Sequence, residues 1–119
     1  MKNDDYPNVS QMPICLGQTI KALRLTKGIT QKEFAKKTEM SQGFLSLIEK
    51  GERSISIDLF RKMAVAFDLS MIVLLYLALK REKKLREFTS QEEAEFEVFE
   101  KFSIPLLKEK LNLDELLFI

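Results

Sequence analysis

The chain has 119 residues, 45% hydrophobic and 31% charged, with four Gly, three Pro, one Cys and no His. That is one domain's worth of soluble globular composition, and the scarcity of turn residues favours helices over many short strands. Without His, neither a Cys/His zinc site nor a Ser-His or Cys-His catalytic pair can be assembled, and the single Cys15 permits no intrachain disulfide.

The net charge of +1 conceals an asymmetry. Residues 1–88 carry 16 Lys/Arg against 10 Asp/Glu, whereas residues 89–119 carry 3 against 8. A basic body with an acidic tail suits contact with a polyanion such as DNA, and it equally suits a solvated surface of uneven charge.

Residues 1–13 are polar, hold two prolines and show no period, which predicts a flexible arm. They contain no apolar run of the kind a signal peptide needs, so a cytoplasmic protein is expected. From Ile14 the apolar residues Ile14, Ile20, Leu23 and Leu25 recur near helical spacing, and Lys27-Gly28 is a stop signal. Cys15, between Ile14 and Leu16, is expected to be a small buried hydrophobe in a reducing compartment. Thr30-Gln31-Lys32-Glu33 is a capping box that opens a second helix with Phe34 and Ala35 inward. Ser41 caps a third running through Lys50, with Leu45 and Ile48 inward and Gly51 after its end. Ser56 caps a fourth with Leu59, Phe60, Met63, Ala64 and Phe67 on its apolar face, and Ser70 caps a fifth. That fifth helix is continuously apolar from Met71 to Leu79, nine residues, where a membrane span needs roughly 20. In the tail, Ser90-Gln91-Glu92-Glu93 forms another capping box, and Ser103-Ile104-Pro105 predicts a restart into a seventh helix.

Two short helices joined by a tight turn can form a helix-turn-helix, but many helix pairs have this spacing. The specific signal is a string of residues in order: Leu16-Gly17, Ile20 to Arg24, Lys27 to Gln31, Phe34-Ala35, Met40 to Gln42, Leu45-Ser46, Ile48 to Gly51, and Ser70. This string resembles the lambda-repressor/Cro-type helix-turn-helix family. The resemblance implies an all-α fold: a five-helix DNA-binding domain over residues 14–79, followed by a C-terminal helical extension over residues 80–119.

It also implies roles. The third helix is the recognition helix, laid in the major groove of double-stranded DNA while the second braces across the backbone. Gln31 matches the glutamine whose amide spans a phosphate and the first recognition residue; the plainer reading is an exposed helix-start residue. Gln42, next to the capping Ser41, is placed to pair with adenine N6 and N7, or is simply an exposed polar residue. Gly43, Phe44, Ser46 and Leu47 complete the reading face. Ser46 suits a base or a phosphate, Leu47 a thymine methyl, and Phe44 either DNA or the second helix. Lys27, Lys50, Arg53 and Ser54 fall where the family grips phosphate, although each lysine also suits a solvated surface. Arg24 and Glu49 match a structural salt bridge. Glu39 departs from the family, standing in the turn where a glycine is usual because the site favours positive φ.

The apolar fifth helix needs a cover, supplied by the acidic tail folding back, by a second subunit, or by both. For a homodimer the expected contacts are Met71, Val73, Leu75, Leu79, Phe96 and Phe99. The competing reading keeps the fold as a protein-interaction or antitoxin-like module whose acidic apolar tail meets a protein partner. No nucleophile-base set and no Gly-rich phosphate loop is present, so neither catalysis nor a cofactor is expected.

Overall fold

The computed structural model describes residues 12–112 and Glu115. Its helices are α1 (Met12–Thr26), α2 (Gln31–Lys37), α3 (Gln42–Glu49), α4 (Ile57–Ala66), α5 (Met71–Leu85) and α6 (Ser90–Lys108), with no strand among the described residues. The class is all-α, as predicted. Of the expected arm, residues 1–11 lie outside the described residues, and Met12 and Pro13 already open α1.

Local sequence sets the helix ends. Thr30, Ser41, Ser56, Ser70 and Thr89 each stand before a helix in extended conformation, and each hydroxyl accepts the N–H three residues on. That satisfies one donor the helix leaves orphaned. At the other end, α1 to α4 all close with the same pair of backbone bonds. In α1, for example, the Gly28 N–H donates to the Leu25 carbonyl and the Ile29 N–H to that of Arg24. The left-handed residue this closure needs is Gly28, Glu39, Gly51 and Asp68 in turn, with φ of 68°, 57°, 78° and 57°.

Side chains from all six helices share one core. Leu23, Phe34, Leu45, Ile48, Met63 and Leu77 are fully buried, and Phe34 stacks on Phe67 with ring centroids 4.5 Å apart. Gly17 lets α1 and α3 touch: a Cβ there would overlap the Ile48 carbonyl oxygen. The acidic tail folds back on α5, where Tyr76 stacks against Phe96 and Phe99 and its hydroxyl donates to Glu100 Oε2 at 2.8 Å. Burial raises the Tyr76 pKa above its ordinary value, and the Glu100 bond adds to this.

The tail departs from expectation in two places. Its cap is Thr89, not Ser90, because Glu92 both closes the capping box and receives two bonds from Arg86, at 3.1 and 2.7 Å. The predicted restart at Ser103 does not occur: α6 runs through Ser103 and Pro105 to Lys108. Proline forfeits one backbone bond, but the continued helix carries Leu107 into the core, and Leu111 follows just beyond its end. Leu113, Leu116, Leu117, Phe118 and Ile119 lie outside the described residues. No single helix among the described residues is long and apolar enough to cross a membrane.

Candidate nucleic-acid interface

Between α2 and α3 the chain turns in four residues. The buried Thr38 hydroxyl donates to the Phe34 carbonyl at 2.7 Å, and the Met40 N–H to that of Ala35 at 2.9 Å. Glu39 takes the left-handed conformation although it is not glycine, at a cost of about 1 kcal/mol. The turn therefore keeps the geometry that a glycine would allow, and the Glu39 carboxylate is left exposed, 3.5 Å from Lys62.

A buried ion pair fixes the orientation of α3. The Arg24 guanidinium on α1 grips Glu49 at the end of α3 with two bonds, Nε to Oε2 at 2.8 Å and Nη2 to Oε1 at 3.0 Å. Its remaining nitrogen, Nη1, donates to the Ile29 carbonyl just before α2. Gln31 joins the same cluster: its amide nitrogen donates to Glu49 Oε1 at 3.0 Å. Without DNA present, the Gln31 amide is therefore engaged with the far end of α3. One carboxylate thus ties α1, the start of α2 and the end of α3.

The opposite face of α3 is open. Leu45 and Ile48 are buried, Ser41, Gln42 and Gly43 are exposed, and Phe44, Ser46 and Leu47 are half-buried. Phe44 packs in part against the core and keeps part of its ring exposed. The Ser41 hydroxyl is occupied in capping Phe44. Lys50, Arg53 and Ser54 are exposed at and beyond the C-terminus of α3, the first two contributing positive charge there. Lys27 is drawn elsewhere, its ammonium 3.4 Å from the Lys110 carbonyl just beyond α6.

Two features had no signal in the sequence. Lys37 on α2 and Arg61, Lys62 and Val65 on α4 line an open cleft of about 500 Å³ beside Glu39. Near the start of α6, Arg86 bridges Glu82 and Glu92. Each depends on a contact between different helices.

The residues expected to dimerise divide. Val73 and Phe96 are buried within the chain, at 3% and 7% exposure, because α6 covers α5. A second copy could reach them only if α6 lifted away. Met71, Leu75, Leu79 and Phe99 remain half-buried, and Leu79 and Phe99 line a common groove with Phe88 and Glu95.

A short capped helix, a four-residue left-handed turn and a second helix braced from behind, with its outer face free, are the parts of a helix-turn-helix. Residues 20–74 match the family model described as Helix-turn-helix, in agreement with the lambda-repressor/Cro-type resemblance of the sequence. Among solved structures, the chain is similar to a crystal structure of the clp gene regulator ClgR from Corynebacterium glutamicum. There the TM-score is 0.58 at 26% identity, covering 79% of this chain and 95% of that one. A second crystal structure of ClgR from the same organism gives 0.55 at 29% identity, covering 58% of this chain and 90% of that one. The longer match exceeds residues 20–74, so part of the remaining chain shares the fold too. No curated protein matches the chain.

Proposed function

We propose that this chain is a sequence-specific transcription regulator that lays α3 in the major groove of double-stranded DNA. The observation that carries the reading is the Glu49 cluster: it fixes α3 from behind while Gln42, Gly43 and Ser46 face outward. Gln42 reads an adenine edge, and Lys50, Arg53 and Ser54 hold phosphates on either side. Likeness to a protein described as a gene regulator supports a regulatory role. Repression is the simplest outcome, because a bound protein that overlaps a promoter needs no further contact to block it. A DNA target is compatible with the cytoplasmic location expected from the sequence.

A single recognition helix contacts few phosphates, so the binding form is a homodimer on two half-sites about 34 Å apart. Ile72, Leu75 and Leu79 fall on one face of α5, and Phe99, Phe102 and Leu106 on one face of α6. Ile72 and Phe102 are 52% and 54% exposed, and together with their half-buried neighbours they make an apolar stripe. The rival reading, a different protein held on the acidic apolar face of α6, rests on the same stripe.

The test is selection of bound sites from random duplex, followed by titration at several salt concentrations. A reader prefers its selected site over random duplex and loses affinity steeply as salt rises. Gln42→Ala is expected to weaken binding by about 1–3 kcal/mol and to relax one base position. A Gln42→Ala protein that selects the same site with the same affinity removes Gln42 from the reading face.

A further inference from the structure

Glu39 is a residue of the inter-helix turn that contacts within the chain do not account for. It holds a left-handed conformation that glycine would adopt without strain. Its ion pair with Lys62, at 3.5 Å, joins side chains 77% and 49% exposed. Pairs this exposed add little to stability, so the pair does not explain the residue. What the pair does show is that the Lys62 ammonium takes a carboxylate here.

Both residues line the open cleft between α2 and α4. Lys37, Arg61 and Lys62 bring three positive charges to it against the one negative charge of Glu39, and Val65 and Ala66 add apolar surface. The apolar surface continues along α4. Ile57, Arg61 and Val65 follow one another four residues apart on one face of that helix, and Ile57 and Val65 are 67% and 72% exposed. A basic cleft bordered by exposed apolar side chains complements a helix with carboxylates on one side and apolar residues on the other. None of the described residues of α3 lines the cleft, so it is separate from the reading face.

We propose that the α2–α4 cleft and the outer face of α4 form a docking surface for an acidic amphipathic helix of a partner protein. Arg61 and Lys62 hold its carboxylates, one of which replaces Glu39 on Lys62, while Ile57 and Val65 meet its apolar side. Because α3 takes no part, the surface stays available whether or not α3 lies on DNA.

The test titrates the full chain against a fluorescently labelled helical peptide of about 18 residues, with leucine on one face and glutamate on the other. A counterpart with lysine in place of glutamate is the control. The acidic peptide is expected to bind, less tightly as salt rises, and the lysine peptide is expected not to bind. Arg61→Ala combined with Lys62→Ala should weaken the acidic peptide about tenfold. Val65→Ser should weaken it about threefold. Neither change should move the melt, since all three side chains are exposed. Glu39→Gln should strengthen binding about threefold, because the competing carboxylate is gone. Equal binding of the two peptides, or none of the acidic one, overturns the docking surface. So does an unaltered peptide affinity in the Arg61→Ala, Lys62→Ala protein. A comparable loss of affinity for the selected DNA site in that protein also overturns it, by making the cleft part of the DNA interface.

Discussion

Glu49 is a buried carboxylate with three donors on it, two from Arg24 and one from Gln31. Removing a charge from water is costly, and here the two-pronged guanidinium and the amide offset that cost. Glu49→Ala is expected to lower stability by about 3 kcal/mol, because Arg24, only 6% exposed, would keep a single carbonyl partner. A thermal melt that the substitution leaves unmoved would contradict this account. The Arg24–Glu49 pairing was legible through family resemblance. The Gln31 partner was not, since an amide at the start of α2 can reach either end of α3 and only packed geometry chooses. Glu39 was legible as an exception, and its φ of 57° shows the turn accepting the strain instead of changing shape.

At the scale of elements, five helices were readable from capping residues and apolar spacing, and the sixth was misread at its start and near its end. Thr89 and Ser90 are both followed three residues later by glutamate, so the local rule supports either cap. Arg86 decides between them by binding Glu92. The Arg86 bonds, and then the Thr89 N–H, hold the Glu92 carboxyl at about 2, against 4.5 ordinarily. A folded value below the unfolded one stabilises the protein above the ordinary carboxylate range, and the contribution is lost as pH falls from 4.5 towards 2. Acid unfolding followed by circular dichroism should therefore show parent stability declining across that window. Glu92→Gln should begin less stable at neutral pH and decline less. Equal slopes for the two proteins would mean the pair does not act on stability.

At the scale of the molecule, the tail belongs to the domain core. Phe96, Leu107 and Leu111 are buried with the side chains of α1 to α5, and Lys110 binds Asp68 at 2.7 Å across the α4–α5 turn. A chain ending at residue 88 would expose that core, so it cannot serve as a neutral control for oligomeric state. The exposed Phe102 is the better probe. For the proposed homodimer, light scattering should give twice the 13.8 kDa chain mass at concentrations that bind DNA, and Phe102→Asp should give one chain mass with an unchanged melt. A single-chain mass for the parent protein would remove the homodimer. Composition left open whether a second subunit or the tail covers α5. The structure shows the tail on it, with a narrower apolar stripe left beside the seam.

The sequence by itself determined the helix-turn-helix. Its caps, its left-handed closing residues and its inward apolar positions are local, so each can be read within a few residues of where it acts. Tertiary structure alone decided what is set by contacts between elements. It turned Gln31 towards Glu49, chose Thr89 over Ser90, carried α6 through Pro105 and buried Val73 and Phe96 under the tail. In each case the neighbouring sequence left the outcome open, and contacts made between elements chose it.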